Sequence, residues 1–592
     1  MDMKDNTIWR LLDHLRGALD PAAALELVLQ ILVWEKWSRE GRLPDICRLT
    51  RKARSAHYVE DWYRLRGEED LRLAFPDDRN ISRLGDAGFQ SLVELVLQLA
   101  DAGVLRELDA ADGITVLSPF EGELAQPPAV ADFLTALGML RPGQSVYAPW
   151  DWGAQLAVRA TRQDCSVYVE TPSPSPLPLL VSLLAGGTIT VRQGNPITSP
   201  TAIEKGKSGR FDVAVAFPPL NYRYDAEVAE RDWYQRFPEK TTSGNVLAIR
   251  HLLAQASQRV IVAVAPGLLF ARGAEAALRE DLLARGMIEA VVAMPPGVLL
   301  GTNIAFAVLI LDPLGGHRSV RFVNADSDRF KEVVSKGRAR LTNVAALSNL
   351  ALTDTKDPDA VVVATAEILE NGAQLQVGRY IVPDVQRQLQ AKLAAAKTVA
   401  LGQLVTMLRP LSAKTGDSDT VGVWEVGPGD LPSYGYIDDA PRSVRLSRGL
   451  LLQKGKQQFL RPYDIVLFIR GVVGKVGIVP PEVPSPGEGG WVAGQSAMVL
   501  RVDDAAGTDP RALFLQLRSP LGQALLQSIV SGGATMQMIN LSELKALGVL
   551  LPSVEEQTRI AEVLKEESEI QHDIDRLRKQ QARVSAQLWQ LD

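Results

Sequence analysis

Residues 213–220 have the sequence VAVAFPPL, an apolar run that ends in a loop with two consecutive prolines. A second apolar run, Arg259–Val264, follows after a stretch long enough to hold a helix. Continuous apolar strands are typical of a parallel sheet that is buried on both faces, and such strands need helical crossovers between them. These residues therefore predict an α/β fold for the middle of the chain.

The same alternation of short apolar runs and helical stretches extends over residues 129–313. The strands that it predicts are Ser145–Tyr147, Ser166–Val169, Thr188–Val191, Val213–Ala216, Arg259–Val264, Ile288–Met294 and Ile304–Leu311. The proline-rich stretch 171–178 (TPSPSPLP) is predicted to be a loop, and residues 319–384 are predicted to be a mixed tail of the same domain.

The residues on either side have different patterns. Apolar residues recur at helical spacing from Asn6 to about Ser118, and the charged segment Arg51–Arg79 within this region predicts a surface hairpin or insert. Residues 386–398 predict a helix, and the Gly-, Pro- and β-branched-rich residues 401–551 predict a β-rich module. The predicted domains are an N-terminal helical domain (1–118), an α/β domain with its tail (119–384), a linker helix (385–400), a β-rich domain (401–552) and a C-terminal helix (553–592).

The C-terminal helix has an apolar seam with alternating steps of three and four residues, which is a heptad pattern. Its members are Ile560, Val563, Glu567, Ile570, Ile574, Leu577, Gln581, Val584, Leu588 and Leu591. Two interpretations fit this seam equally well: the helix pairs with a helix of a second chain, or it packs on its own domain.

Composition excludes several classes of protein. The 592 residues are 46% hydrophobic and 23% charged, as in an ordinary globular protein with several cores. Neither a membrane-spanning run nor an apolar signal-peptide core is predicted, and Cys47 and Cys165 are too far apart to suggest a disulfide framework. The histidines have no zinc-site spacing, so we expect a cytoplasmic protein without a metal. With a net charge of −6, any nucleic-acid-binding surface must be local.

Several motifs occur in a specific order after the strand Arg259–Val264. They are 266–270 (PGLLF), 288–291 (IEAV), 295–298 (PPGV), 302–304 (TNI) and 363–380 (VATAEILENGAQLQVGRY). In this order they resemble the methyltransferase (M) subunit of type I restriction-modification systems, a family of N6-adenine DNA methyltransferases. The resemblance covers about Asn6 to Tyr380 and implies a Rossmann-like methyltransferase fold.

The C-terminal part has a second set of short motifs. They are 462–466 (PYDIV), Gly471, Gly474, Lys475, Gly477, 532–535 (GGAT), Gln537, Pro552, Glu556, Gln557, Ile560 and Ala561. Their order resembles half of a specificity (S) subunit, with one target-recognition domain and one spacer helix. The resemblance implies an M subunit fused to a half S subunit.

The family's cofactor positions are altered in this chain. Its Asp-Pro and glycine-rich turn, which lets the backbone approach S-adenosylmethionine closely, is aligned with residues 147–155 (YAPWDWGAQ). The aligned positions are Ala148, Pro149, Trp152, Gly153, Glu170 and Asn195. We predict that Trp150 and Trp152 fill the cofactor space as core. Glu170 retains the family's ribose-binding acid, and an alternative is that it is only a solvated carboxylate at a strand end.

The catalytic loop is altered as well. The family's Asn-Pro-Pro-aromatic loop holds the extruded adenine, and this chain has Phe217, Pro218, Pro219 and Leu220 there. Phe217 has no hydrogen-bonding group, and loss of one aligned polar group at a reacting centre costs about 100- to 1,000-fold in rate. We therefore expect no catalytic residue and no cofactor; S-adenosylmethionine is expected only if the site is active in a divergent form.

The resemblance also implies DNA contacts. Residues 401–551 would lie against the major groove, where polar side chains reach base edges. Candidate contacts are Arg442, Arg445, Arg448, Lys454, Lys456, Arg470 and Lys475, which as a group would form a basic face and singly would be ordinary surface charges.

The function that these observations favour is a non-catalytic DNA-recognition subunit of a restriction-like phage-defence system. Its expected partners are double-stranded DNA, a nuclease or ATPase effector, and a second copy bound through the C-terminal helix, so that the dimer reads two spaced half-sites. The alternatives are an active N6-adenine methyltransferase with a divergent site and a protein-interaction scaffold.

Overall fold

The computed structural model describes residues 6–52, 55–67, 71–117, 126–172, 174–204, 207–208, 210–335, 337–381, 398–410, 419–448, 455–503, 507–531 and 538–586. The chain divides into two units, Met1–Ile381 and Val382–Asp592. Most of the predicted linker helix, residues 385–397, lies outside the described residues. Its last three positions, Thr398–Ala400, form a strand, because their backbone pairs with Gly548–Leu550.

The helices of the first unit are α1 (Asn6–His14), α2 (Pro21–Arg39), α3 (Ser55–Leu65), α4 (Arg79–Asp101), α5 (Ala110–Gly113), α6 (Pro128–Leu137), α7 (Gln155–Thr161), α8 (Leu177–Ala185), α9 (Ala226–Glu230), α10 (Gly244–Gln255), α11 (Ala274–Ala284), α12 (Val344–Leu352), α13 (Thr365–Glu370) and α14 (Val377–Tyr380). Its strands are β1 (Ser145–Pro149), β2 (Ser166–Thr171), β3 (Ile189–Gln193), β4 (Ile203–Glu204), β5 (Lys207–Ser208), β6 (Phe211–Ala216), β7 (Ala256–Val264), β8 (Ile288–Ala293), β9 (Ala307–Leu311), β10 (Ser319–Asn324), β11 (Lys331–Ser335), β12 (Arg338–Leu341) and β13 (Ala360–Ala364).

A nine-stranded sheet forms the centre of this unit, in the order β13-β10-β8-β9-β7-β6-β1-β2-β3. Strands β1, β2, β3, β6 and β7 pair in parallel, whereas β9 is antiparallel to both β7 and β8. All of the predicted strands are present, which confirms the α/β fold class. The predicted tail extends the sheet, since β10 pairs with β8 and β13 pairs with β10.

Side chains alternate between the two faces of this sheet, as strand geometry requires. On β6, Val213 and Val215 join a core that includes the N-terminal helices, while Ala214 and Ala216 join the core on the opposite face. The sheet is therefore buried on both faces, and its strand ends and loops are left to carry function.

The N-terminal helical domain is confirmed, with one correction. The charged segment Arg51–Arg79 is not a surface hairpin or insert, because it contains α3, whose Tyr58 and Trp62 are buried. The Trp62 ring lies edge-on to Trp34, Phe75 and Phe89, with centroid distances of 6.0, 4.8 and 5.6 Å. Charged residues therefore cover one side of a helix whose other side is core.

The strands of the second unit are β14 (Thr398–Ala400), β15 (Val405–Leu408), β16 (Thr420–Val426), β17 (Arg442–Ser447), β18 (Ile465–Phe468), β19 (Val476–Ile478), β20 (Trp491–Ala493), β21 (Ala497–Val502), β22 (Val530–Ser531), β23 (Met538–Ile539) and β24 (Gly548–Leu550). Its helices are α15 (Pro510–Arg518), α16 (Pro520–Ser528), α17 (Leu541–Ala546) and α18 (Val554–Ala586). The two larger sheets have the orders β15-β21-β18-β19 and β17-β16-β20, which confirms the β-rich module.

The long C-terminal helix α18 has 33 residues and contacts its own module through one face. Ala561 and Leu564 are buried on that face, and Glu567 accepts hydrogen bonds from Arg518 of α15. Most apolar residues of the described seam instead remain in solvent: Val563, Ile570, Ile574, Leu577 and Val584 are 38% to 59% exposed. Packing on the module therefore leaves most of the heptad seam uncovered.

A search of the described helices for one able to cross a bilayer found none.

We expect Trp62→Ala to destabilise the first unit by about 3–5 kcal/mol, because it removes a fully packed indole from the helical core. Trp233→Ala is the matched control, since Trp233 is 87% exposed and its loss leaves no cavity. Guanidinium unfolding followed by circular dichroism measures both. Equal midpoints for the two variants would contradict the placement of α3.

Candidate functional site

The candidate site is the edge of the nine-stranded sheet where β1, β2 and β6 end, at Pro149, Thr171 and Ala216. From β1 the chain adds β2 and β3 on one side, and β6 and β7 then lie on the other side of β1, so the strand order reverses between β1 and β6. Open α/β sheets bind ligands outside the carboxyl ends of their strands at such a switch point. Both altered motifs of the sequence lie here, in the loops that follow β1 and β6.

In the turn after β1, the side chain of Asp151 closes the start of α7. Its carboxylate accepts hydrogen bonds from the backbone amides of Gln155 (2.9 Å) and Ala157 (2.8 Å). These amides lie in the first turn of a helix, where backbone donors have no partner within the helix. Asp151 is 1% exposed, and burial raises its pKa to about 7. The amides of Gln155 and Ala157 at this edge therefore donate to Asp151.

The two tryptophans of this turn are placed differently. Trp150 is 1% exposed, and its ring lies 6.2 Å from that of His251 in an edge-on contact. Its backbone has a left-handed φ of 59°, and its amide donates to the carbonyl of Glu170. Trp152 is only partly buried against the same core. Both indoles contact the core beside the switch point, and Trp150 is the one that is fully enclosed.

A reciprocal amide pair joins the turn to the segment before α6. Gln155 Oε1 accepts from the amide of Gln126 (2.7 Å), and Gln155 Nε2 donates to the carbonyl of Gln126 (2.9 Å). Gln155 is the last residue of the turn 147–155, and Gln126 lies just before α6. In this chain they bind each other.

Glu170 at the end of β2 is fully buried, so the interpretation as a solvated carboxylate is wrong. Its Oε1 accepts from the amide of Thr201 (2.6 Å), and its Oε2 accepts from the Tyr147 hydroxyl (2.5 Å). Burial raises its pKa, and the two donors oppose that shift. Each carboxylate oxygen therefore accepts a hydrogen bond from a donor within the protein.

The Tyr147 hydroxyl continues this network to His251 of α10, whose Nε2 is 2.8 Å away. Arg236 donates to His251 Nδ1 over 2.7 Å, so the remaining ring proton is on Nε2 and points to Tyr147. Burial and the neighbouring Arg236 guanidinium lower the pKa of His251 well below its usual value, which keeps the ring neutral. Asp232 forms an ion pair with Arg236 at 2.7 Å. A continuous hydrogen-bond chain thus spans Asp232, Arg236, His251, Tyr147 and Glu170.

The remaining positions aligned with the cofactor site have structural contacts. Ala148 is buried in β1, and Pro149 ends that strand. A side chain at Gly153 would place its Cβ 2.1 Å from Ile114, so this glycine permits close packing on the helical domain. Asn195 caps its own turn, accepting from the amides of Ile197 and Thr198.

The loop after β6 is packed in the same way. Phe217 and Leu220 are half-buried against the core that contains the N-terminal helices, and the Phe217 ring lies 5.2 Å from Phe306. Pro218 is buried and Pro219 half-buried. Asn221 has a left-handed φ of 58° and is exposed, as is Tyr222. The loop therefore has its apolar residues in the core and its nearest polar residues in solvent.

No group of three or more metal-binding side chains occurs among the described residues.

The predicted DNA contacts of the second unit do not form one free basic face. Arg442 pairs with Glu425 (2.8 Å) and Arg448 with Asp419 (3.0 Å). Lys475 donates to the carbonyl of Pro428 (2.7 Å).

Two of the candidates, Arg445 and Arg470, are exposed and have no partner within the described part of the chain. Lys454 and the side chain of Lys456 lie outside the described residues. Arg442 and Arg448 meet acidic residues on the neighbouring strand or loop, and their side chains remain 73% and 57% exposed.

Sequence reasoning missed several residues of these sites. Tyr147, Arg236 and His251 are far apart in sequence, and only the sheet and α10 bring them together. Trp424 is 41% exposed on β16, where Gly422 pairs with Arg445. Because Trp424 is two residues from Gly422, it shares a sheet face with Arg445. Val423 beside it is buried, so the alternation of side chains along β16 could have identified Trp424 as pointing away from the core.

Asp151 predicts a pH dependence of stability. Its pKa is raised in the folded protein, from 3.8 to about 7, so the folded state holds a proton that the unfolded state has released between these values. Stability from this group therefore falls as pH rises through that window. We expect Asp151→Asn to flatten the decline in unfolding free energy between acidic and neutral pH. Identical slopes in urea titrations of both proteins would contradict this assignment.

Comparison with known proteins agrees with the two-part architecture. A family model described as N-6 DNA Methylase matches residues 182–388, and one described as Type I restriction modification DNA specificity domain matches residues 435–582. The methylase subunit of the type I restriction enzyme MpnII from Mycoplasma pneumoniae is 23% identical over 188 residues, 30% of this chain and 34% of that protein. The match thus spans about a third of that relative's length.

A solved structure shows the same fold. The type I restriction-modification methyltransferase subunit from Streptococcus thermophilus superposes with a TM-score of 0.52 at 16% identity, over 64% of this chain and 99% of that one. The chain thus combines a region that matches the N-6 DNA Methylase model with a following region that matches the Type I restriction modification DNA specificity domain model, and type I methyltransferase subunits are among its homologues.

Proposed function

We propose that this protein is the sequence-specific DNA-recognition subunit of a restriction-modification-like phage-defence system and that its methyltransferase-like unit does not transfer methyl groups. The observation that carries the proposal is the internal use of the polar groups at the switch point. Asp151, Gln155 and Glu170 all bind groups of the protein where a cofactor would need them. In such a system the recognition subunit positions a nuclease or ATPase effector.

The catalytic loop supports the same proposal. A target adenine needs hydrogen-bond acceptors and a stacking ring. Phe217 provides no acceptor, and its ring is already packed near Phe306. To hold a base at this edge, the loop would have to move Phe217 and Leu220, which are half-buried, so each would cost less than the roughly 1.5–3 kcal/mol of a fully buried side chain.

The second candidate, an active N6-adenine methyltransferase, is favoured by the methylase match itself, because residues 182–388 include the loop after β6. It requires that the Asp151 turn and the Glu170 network open when the cofactor binds.

We further propose that two copies pair through α18. The seam residues Val563, Ile570, Leu577 and Val584 recur every seven residues and are exposed. A helix of this length spans about 50 Å, so an antiparallel pair would separate two recognition modules and let each read one half-site. The unpaired Arg445 and the exposed Trp424 share a face of the β16–β17 pair and are the side chains that we assign to the groove.

Calorimetry with S-adenosylmethionine tests the inactive site. We expect no saturable binding, because Asp151, Gln155 and Glu170 already bind groups of the protein. DNA binding by the same preparation serves as the control for intact protein. Micromolar affinity for the cofactor would overturn the closed site, and methyl transfer to DNA would establish the second candidate.

Light scattering tests the dimer. We expect Leu577→Glu to convert a dimer into a monomer, because a carboxylate in an apolar seam loses its hydration without gaining a partner. Lys579→Glu is the control, since Lys579 is exposed and lies outside the seam. A wild-type protein that is monomeric at micromolar concentration, with and without DNA, would contradict the pairing.

A further inference from the structure

The β11–β12 hairpin projects from the same sheet edge as the closed site. It follows the carboxyl end of β10, which is parallel to β8. The amide of Ala339 on β12 donates to the carbonyl of Gly297, in the loop between β8 and β9. That loop ends beside Phe306, whose ring contacts Phe217. The hairpin and the Phe217 loop are therefore connected through one packed loop.

The hairpin leaves two adjacent valines in solvent. Val333 is 70% exposed and Val334 is 55% exposed. Neighbouring residues of a strand point to opposite faces, so exposure of both means that the strand stands clear of the body there. A bulge between Val333 and Ser335 leaves Val334 without a residue opposite it. The base of the hairpin is anchored, since Phe330 and Leu341 are buried.

The charge of the hairpin differs in sign from that of the whole chain. Residues 331–341 contain four basic residues and one acidic residue, in a protein whose net charge is −6. Lys331 is neutralised by Asp326 at 2.6 Å. Arg338 has no partner in the described ranges, and Arg340 has only a solvent-exposed contact with Glu332 at 3.6 Å.

The cross-strand register places these charges on one face. Glu332 lies opposite Arg340, and Ser335 lies opposite Arg338. Ala339 and Leu341 alternate with the arginines and pack on the core. The face that points away from the body thus carries Arg338, Arg340 and Glu332, and the exposed valines are at the free end.

We propose that the β11–β12 hairpin is a second DNA-contacting element, in which Arg338 and Arg340 bind the phosphate backbone and Val333 and Val334 enter a groove. This inference rests on the proposed DNA-recognition function. A two-stranded β-ribbon fits the major groove, and arginines beside it neutralise phosphates. Arg338 has no ion-pair partner in the described ranges and Arg340 has only a solvent-exposed one, so both guanidinium groups are accessible to the phosphates of DNA.

The first experiment measures the salt dependence of binding for the full-length protein, by fluorescence anisotropy with a labelled duplex of random sequence. We expect the double variant Arg338→Gln/Arg340→Gln to reduce the slope of log affinity against log salt by about 2, one unit for each lost phosphate contact. The matched control is Arg141→Gln/Arg318→Gln, which removes the same charge from exposed positions just before β1 and β10, at the opposite sheet edge.

The second experiment replaces Val333 with a benzophenone amino acid and irradiates the DNA complex. Cross-linking to DNA is expected from position 333. It is not expected from the same replacement of Leu314, which is 83% exposed and lies between β9 and β10 at the opposite edge. A cross-link from position 333 to protein alone would overturn the inference.

The outcomes separate the two proposals. Absence of DNA binding by the wild-type protein would overturn the DNA-recognition function itself. Wild-type binding together with an unchanged slope in the double variant would overturn only the role of the hairpin.

Discussion

Burial of both faces of the nine-stranded sheet is the constraint on which the first unit depends. The strands alternate their side chains between two cores, so neither face is available to a ligand. Parallel strands also bring their carboxyl ends to one edge, where loops replace regular hydrogen bonding. Whatever the unit binds must therefore meet the protein at its edges, and polar groups buried there need partners from the chain or from a ligand.

At the switch point, the chain supplies those partners itself. The Tyr147 hydroxyl links Glu170 and His251, Asp151 caps the start of α7, and Gln155 pairs with Gln126. A buried donor or acceptor that has no hydrogen-bond partner costs about 1–3 kcal/mol. Asp151, Gln155 and Glu170 bind groups of the protein, while Gln126 Oε1 beside them is buried without a hydrogen-bond partner among the described residues.

The long helix of the second unit has one buried face and one exposed apolar face. Ala561 and Leu564 hold α18 against the recognition module, while the seam that contains Ile570 and Leu577 stays in solvent. A helix bound to its module along one stripe can present a second stripe to a partner at a fixed orientation.

The sequence by itself determined the fold class, the strands of the sheet, the two-part architecture and the altered positions at Phe217, Leu220 and Trp152. These are local patterns: apolar runs, turn residues and motifs that need no knowledge of distant contacts. The sequence could not show that Glu170 is buried and accepts hydrogen bonds from Tyr147 and Thr201. It also could not show that Arg442, Arg448 and Lys475 bind within the protein, or that most of the seam of α18 is left uncovered. Only the tertiary structure decided these points, because hydrogen bonds and burial are set by residues that are distant along the chain and adjacent in space.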